Sequence, residues 1–218
     1  MTDQLPLTRI PAEPARAEAI RAAVRSALLP LGSGFELGRL DHAEAFFKLV
    51  GDPAVNDPIA TLPRPITLET CRGFIKDRIA AKARGEGLLI LMVGDGGRIV
   101  GYQDIAVWPE WSAAALGGAI HPDAQGSGRG RAGARRAFDW IFETLGVDLI
   151  CETASLDNIR SRKIMEGAGF SYRGEIDLAL PGGGARRSRY WELTRPEWIA
   201  FRDAHPVGPK ASAGAIRG

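Results

Sequence analysis

The sequence predicts an α/β (α+β) fold with helices on both faces of a mixed, largely antiparallel twisted sheet of about six or seven strands. Candidate strands and helices follow the order β-α-α-β-β-β-α-β-α-β-β, so hairpins alternate with strands that are separated by helices. Residues 87–93 and 147–153 are continuous apolar runs of strand length. Asp95-Gly96-Gly97 is typical of the tight turn in a hairpin.

Composition limits the class of protein. The chain has 218 residues, of which 45% are hydrophobic and 25% charged, as expected for a globular protein with a sizeable core. The formal net charge of +2 gives no bulk electrostatic reason to expect nucleic acid or an anionic membrane as a partner. The first residues lack the basic-then-apolar start of a signal peptide, and no apolar run approaches the length of a membrane span. We therefore expect a cytoplasmic protein.

Cysteine and histidine content predicts neither disulfides nor a metal site. Cys71 and Cys151 are too few for a disulfide framework, and Cys151 lies in an apolar run typical of a buried thiol. His42, His121 and His205 are scattered, with no spacing that suggests zinc.

The first third of the chain divides into an extension and the start of the main domain. We expect an N-terminal extension over residues 1–33, in which Ile20, Val24 and Leu28 recur every fourth residue as in an amphipathic helix. This helix could pack on its own domain, which we favour, or on a partner subunit. A strand over residues 35–40 and a helix capped by Asp41 follow. Residues 51–67 contain four prolines and predict a long irregular loop of the kind that is often functional.

The remaining elements complete the main domain, residues 34–204. A helix over residues 67–83 should place Phe74, Ile75 and Ile79 inward. Strands are expected at 87–93, 98–108, 114–120 and 147–153, then a helix at 157–165 and a hairpin of 170–180 with 188–193. The polar residues 205–218 predict a disordered tail.

A glycine-rich stretch, HPDAQGSGRGRAGARR over residues 121–136, joins the 114–120 strand to a helix. Its glycines allow a tight turn that brings backbone N–H groups close to a ligand. Free N–H groups at a helix N-terminus bind anions, because the helix dipole points the same way. The stretch therefore predicts a site for a phosphate-bearing ligand.

A dinucleotide site is one alternative, because Gly128-x-Gly130-x-x-Gly133 with Glu152 downstream matches the known fingerprint superficially. Two features weigh against it: residues 122–125 separate the strand from the first glycine, and several strands precede the motif. A P-loop is excluded, since no Gly-Lys-Ser/Thr follows.

Three motifs together resemble the GNAT superfamily of acetyltransferases: Gln125-x-x-Gly128-x-Gly130, Asn158-x-x-Ser161 and Gly169-Phe170. The string DNIRSRKIMEGAGF is similar to a segment of the RimJ/RimL-like branch, which acetylates N-terminal or other primary amines. The resemblance covers roughly residues 35–202 and implies the GNAT fold, with acetyl-CoA as co-substrate.

The resemblance also implies residues that would hold acetyl-CoA. Backbone N–H groups of the glycine loop would bind the pyrophosphate, and the end of the preceding strand would pair with the pantetheine arm. The implied residues are Ile120, His121, Gln125, Gly126, Ser127, Gly128, Arg129, Gly130, Arg131, Asn158 and Ser161.

The catalytic residues are less well determined. Many superfamily members carry a tyrosine where this chain has Met165. In the RimJ/RimL-like branch the proposed acid is instead a serine, which corresponds to Ser161 here. Ser161 could also simply cap or pack its helix. Residues 113–118 lack the glutamate common in the branch, so Glu152 becomes the candidate base, because half-burial would raise its pKa. Asp104 is a second candidate, and solvent could replace a base altogether.

Loops should form the acceptor site: residues 51–67, 109–113 and 181–187. Trp108 and Trp111 could flank an acceptor or anchor the core. Arginines of the last hairpin could attract a carboxylate-bearing acceptor or protect an edge strand; they are Arg186, Arg187 and Arg189.

The sequence thus predicts an acetyl-CoA-dependent N-acetyltransferase that acts by direct transfer in a ternary complex. The acceptor would be a protein N-terminus or a small-molecule amine, and the protein a monomer or homodimer. The apolar setting of Cys151 argues against a covalent route. Two alternatives stay open: a non-catalytic acyl-CoA-binding module of the same fold and an NAD(P)-dependent oxidoreductase.

Overall fold

The computed structural model describes residues 4–28, 34–59, 61–125, 129–180 and 183–205, with the side chains of 129–132 outside the description. One seven-stranded sheet with the order β1-β2-β3-β4-β5-β7-β6 organises this part of the chain. Neighbouring strands are antiparallel except β4 and β5, which are parallel. The predicted fold class is therefore confirmed. The strands are β1 (Phe35–Leu37), β2 (Gly87–Val93), β3 (Ile99–Trp108), β4 (Ala113–Ile120), β5 (Leu149–Ser155), β6 (Ser171–Ala179) and β7 (Ala185–Thr194).

Helices cover both faces of the sheet. Alternate residues of β2 show this, because Leu88 packs in the core below α1, α5 and α7, whereas Leu89 packs in the core below α2 and α4. The helices in the described ranges are α1 (Pro14–Ser26), α2 (Ala43–Val50), α3 (Pro53–Asn56), α4 (Leu68–Arg84), α5 (Arg129–Trp140), α6 (Ile159–Glu166) and α7 (Arg195–Ala204). None of them is long and apolar enough to cross a membrane.

Helix α1 packs on its own domain, as predicted, through the buried side chains of Ile20 and Val24. The inward position expected for Leu28 is wrong, since 84% of this residue is exposed. The helix ends at Ser26, so helical periodicity no longer orients residue 28.

Helix α4 begins with a capping box in which Thr67 and Thr70 each accept a hydrogen bond from the other's backbone N–H. Its inward face carries Phe74 and Ile75, as predicted. Ile79 is 41% exposed, which contradicts the prediction, because the buried stripe continues at Ala81 instead.

Residues 51–67 are not wholly irregular, which corrects the prediction. The four-residue helix α3 begins after Asp52, whose carboxylate accepts a hydrogen bond from the N–H of Ala54 at 2.8 Å. Arg64 then donates to the side-chain oxygen of Asn56 at 2.8 Å and to its carbonyl at 2.9 Å. These contacts order the segment internally, and its Val55 and Leu62 are buried in the core below α2 and α4.

Helix α7 is absent from the predicted order of elements. It follows β7 without a break, because the Thr194 hydroxyl and the Glu197 carboxylate form a capping box. Trp198 is fully buried on this helix, and its indole N–H donates to Asp139 at 2.8 Å.

Residues 4–12, called the N-terminal strap below, lie across β6 and β7 without helix or strand structure. Leu7 N–H donates to the Tyr190 hydroxyl at 3.0 Å, and the Thr8 N–H and hydroxyl donate to the Glu192 carboxylate at 3.1 and 2.9 Å. Leu5 is buried in a cluster that also contains Tyr190 and Leu178. The strap is thus a packed part of the domain surface.

Candidate active site

Strands β4 and β5 form a wedge. They pair at only two positions, Ala113 with Leu149 and Ala114 with Ile150, although both strands continue well beyond. Past these pairs the two strands are no longer hydrogen-bonded to each other. A sheet that parts in this way exposes main-chain donors and acceptors in its interior.

Gly118 gives β4 its shape at the wedge. Its φ of +145° lies in a region that L side chains rarely adopt. A Cβ at this position would approach the Tyr102 carbonyl oxygen to 2.2 Å. Only glycine therefore fits here without a backbone shift.

A cavity of about 1280 Å³, called the larger cavity below, lies between the open edge of β4 and helices α5 and α6. Several of the predicted cofactor residues line it: Ile120, Gln125, Asn158 and Ser161. Gly126, Ser127 and Gly128 lie outside the described residues. Arg129, Gly130 and Arg131 form the first turn of α5. The structure therefore brings Ile120, Gln125, Asn158 and Ser161 together around one cavity.

His121 is held by protein contacts rather than turned toward the larger cavity. Its Nε2 lies 3.2 Å from the Asp52 carboxylate, and its Nδ1 accepts a hydrogen bond from the Asp123 N–H at 3.2 Å. Among the described lining residues of that cavity His121 does not occur. Its observed role is to tie the end of β4 to the start of α3.

Asn158 and Ser161 shape the first turn of α6. The side-chain oxygen of Asn158 accepts a hydrogen bond from the Ser161 N–H at 3.0 Å, so Asn158 is the cap. Gln125 donates from its amide nitrogen to the Ile120 carbonyl, which fixes the end of β4. Asn158 and Gln125 thus order the backbone around the cavity as well as lining it.

Glu152 extends from β5 across the wedge. Its carboxyl accepts a hydrogen bond from the Leu116 N–H on β4 at 2.8 Å, and only 7% of the residue is exposed. Burial raises the pKa of Glu152 to about 8, and the Leu116 hydrogen bond opposes this rise. A carboxyl with such a pKa can accept and release a proton near neutral pH.

A second cavity of about 390 Å³, called the smaller cavity below, lies over β3, β4 and β5. It shares Ser161 and Met165 with the larger cavity, along with Leu116, Gly117 and Gly118 of β4. Glu152 lines it too. The two cavities therefore meet in the wedge, beside the Glu152 carboxyl and the Ser161 hydroxyl.

Asp104, the other candidate base, is engaged in an ion pair. Its carboxylate lies 2.6 Å from Nε of Arg78, and each side chain is 14% exposed. Burial raises the pKa of Asp104 and the Arg78 charge opposes this rise. Sequence reasoning did not single out Arg78, since an arginine on a helix carries no local signal that it faces a cavity. Of the two acids, Glu152 is the one without a cationic partner in the described structure.

Trp108, Trp111 and Cys151 are each packed against other groups of the protein. Trp108 lines the smaller cavity and packs against the cluster of Leu5 and Tyr190. Trp111 carries the Arg9 guanidinium 5.7 Å above its ring. Cys151 is fully buried, and desolvation raises the pKa of its thiol, which makes a reactive thiolate unfavourable.

The arginines of the last hairpin divide into two groups. Arg187 pairs with Glu175 at 3.1 Å and Asp177 at 3.3 Å, and Arg189 donates to the Leu156 carbonyl. Arg186 is half-buried and lines the smaller cavity. No cluster of metal-ligating side chains occurs within the described ranges.

The architecture is shared with known acetyltransferases. A ribosomal-protein-S5-alanine acetyltransferase from Vibrio fischeri is 16% identical with a TM-score of 0.63, covering 75% of this chain and 93% of its own. An acetyltransferase of Salmonella typhimurium that modifies the N-terminal serine of ribosomal protein L7/L12 is 17% identical with a TM-score of 0.63, covering 76% and 97%. Mycobacterium smegmatis RimJ, solved with CoA-disulfide, is 18% identical with a TM-score of 0.63, covering 78% and 87%.

No curated protein sequence matches the chain significantly. The family model of the acetyltransferase (GNAT) domain matches residues 35–171, which extend from the first residue of β1 to the first residue of β6. This range includes β4 and β5, which form the wedge, and helices α5 and α6 with the candidate residues. The chain belongs to the GNAT family of acetyltransferases.

Proposed function

We propose that this protein transfers an acetyl group from acetyl-CoA to a primary amine, directly and within a ternary complex. One observation carries the proposal: two cavities share walls in the β4–β5 wedge, where Ser161 lines both of them and the near-neutral carboxyl of Glu152 is bonded to the shared residue Leu116. Direct transfer requires two ligands side by side with a proton acceptor and a proton donor between them.

The larger cavity fits acetyl-CoA. Its volume of about 1280 Å³ suits a long ligand, and it extends along the open edge of β4, where Gly117 and Gly118 line it. Ile120, Gln125 and Asn158 would hold the pantetheine portion, and backbone N–H groups of the glycine loop the pyrophosphate. The bound co-substrate supplies the acetyl group as an activated thioester. The solved RimJ structure with CoA-disulfide supports this assignment.

Glu152 would act as the base. The Leu116 N–H fixes its carboxyl in the wedge, where it can take the proton that an amine loses during transfer. Ser161 would act as the acid, because this residue lines both cavities and carries a hydroxyl, whereas the nearby Met165 side chain has no proton to donate. Asp104 would keep Arg78 in place rather than transfer protons.

Ligand-induced stabilisation and turnover test this function together. Acetyl-CoA and CoA at about a hundred times their Kd should stabilise the protein by about 2.7 kcal/mol. NAD(P)H should leave the melting temperature unchanged. Release of CoA with a panel of primary amines then measures transfer, and Ser161→Ala should lower kcat without weakening CoA binding. Ser155→Ala is the matched control, since Ser155 lines only the smaller cavity.

Other outcomes would select the alternatives. Stabilisation by NAD(P)H but not by CoA would contradict the proposal and favour an oxidoreductase. CoA binding with no transfer to any amine would favour a non-catalytic acyl-CoA-binding module.

A further inference from the structure

Arg186 is a cation of the smaller cavity that forms no ion pair within the described structure. Its contacts are two long ones with neutral groups: Nε to the Ser188 hydroxyl and Nη1 to the Pro58 carbonyl, both at 3.4 Å. Burial lowers its pKa, and the charge of Asp157 opposes this without forming an ion pair. Partial burial without a counter-ion is costly, so an anion at this place would stabilise the cavity.

The remaining charges of the cavity cancel. Arg78 and Asp104 neutralise each other at 2.6 Å. The pKa of Glu152, raised to about 8, keeps its carboxyl mostly neutral at pH 7. Arg186 therefore leaves the cavity with a net positive charge, which favours a ligand that carries an anionic group.

Arg186 and Glu152 lie at different levels of the sheet. Glu152 stands opposite Trp191 on β7, and Arg186 is five residues from Trp191 toward the β6–β7 turn. At about 3.4 Å per residue this corresponds to roughly 17 Å between the two backbone levels. Because five is an odd number, Arg186 leaves β7 on the face opposite to Trp191, so the two groups reach the smaller cavity from opposite faces of the sheet at the wedge. A ligand that contacts both groups must therefore be elongated.

The surface between these two polar groups is largely apolar. Trp108 and Leu178 form its sides, and Leu5 of the N-terminal strap completes it. The volume of about 390 Å³ lies at the lower end of the range for small-ligand pockets. Such a cavity suits a free small molecule with an apolar middle.

These observations extend the proposed function and rest on it. We propose that the acceptor is a small, elongated primary amine with a carboxylate at its far end, and that Arg186 binds this carboxylate. The amine then lies beside Glu152 and the apolar stem along Trp108. Arg186 is thus a specificity-determining residue for the acceptor.

A length series of amino acids tests the inference. Glycine, β-alanine, 4-aminobutyrate, 5-aminovalerate and 6-aminohexanoate are compared with their amides as acceptors, with CoA release as the readout. We expect the longer acids to have at least a tenfold lower KM than their amides. Arg186→Gln should raise KM for the acids about tenfold or more, with kcat little changed and the amides unaffected.

Arg187→Gln is the matched control, because Arg187 is the next hairpin residue but pairs with Glu175 and Asp177 outside the cavity. This variant should keep the preference for acids. Arg186→Lys should restore part of it, since it retains the charge. Melting temperatures of the variants check that each one is folded.

Equal KM values for acids and amides, or a preference that survives Arg186→Gln, would overturn the inference while leaving amine acetylation intact. Better turnover of peptides than of all free amino acids would also overturn it and point to a protein N-terminus. Absence of transfer to every amine would contradict the proposed function itself, and the inference with it.

Discussion

Glu152 owes its raised proton affinity to deep burial, which outweighs the opposing effect of its one backbone donor, Leu116. If Glu152 is the base, it must be ionised in the free enzyme. We therefore expect kcat/KM to rise with pH toward a pKa of about 8. Glu152→Gln should remove this limb and lower kcat/KM by about a hundredfold or more. The pH profile of both proteins is the measurement, and an unchanged limb in the variant would assign the proton transfer elsewhere.

Ionisation of Glu152 at higher pH should lower the stability of the protein, although it raises the activity. The folded state raises the pKa of Glu152 from its usual 4.5 to about 8, so the folded protein holds this proton more tightly than the unfolded chain does. The protonated Glu152 carboxyl therefore contributes fully to the free energy of unfolding below about pH 4.5, and this contribution is lost as the pH rises to about 8.

Urea unfolding of the wild type at pH 5 and pH 8.5 should therefore show a fall in stability that Glu152→Gln lessens. The amide oxygen of glutamine can still accept the Leu116 hydrogen bond, so the variant loses the titratable group but keeps this contact. Identical pH dependence in both proteins would show that Glu152 titrates normally in the folded state.

At the scale of elements, the shape of β4 depends on one glycine. Gly118→Ala should destabilise the protein by more than about 2 kcal/mol, because it combines backbone strain with a clash against the Tyr102 carbonyl. Gly117→Ala is the matched control: its Cβ would meet the Asp104 carbonyl at an ordinary 3.7 Å. Thermal unfolding measures the stability of the two variants. Equal losses of stability would show that position 118 has no special requirement for glycine.

Elements with a strong hydrophobic pattern were predictable from the sequence. Residues 87–93 form β2 with the predicted bounds, because a continuous apolar run of this length is typical of a strand that is buried on both faces. Helix α3 was missed since its four residues depend on an Asp52 cap rather than on periodicity. Helix α7 was missed although Thr194-x-x-Glu197 with Pro196 is a helix start signal, because the helix begins at the residue that follows β7, with no loop between the two elements.

At the scale of the molecule, the candidate site was only partly predictable. Asn158 and Ser161 could be identified because their spacing is local, and Glu152 because it sits on a recognisable strand. Leu5 and Arg78 could not, since they come from distant parts of the chain and reach the cavity only through the fold.

The N-terminal strap makes a testable contribution to the whole domain. The Thr8 hydroxyl donates to Glu192, which is only 3% exposed, so Thr8→Val should cost about 1–3 kcal/mol by leaving a buried carboxylate with fewer donors. Thr8→Ser, which keeps the hydroxyl, should cost less. Urea unfolding measures both variants, and equal stability of Thr8→Val and the wild type would show that the hydroxyl bond contributes nothing.

The brief pairing of β4 with β5 divides the sheet into two leaves joined by two residue pairs. The N-terminal strap is fastened to one leaf at Tyr190 and Glu192, and its last residue, Ala12, donates to the Glu110 carbonyl of the other at 2.8 Å. Because the strap is hydrogen-bonded to both leaves, any movement that separated them would have to break its bonds to one leaf or the other.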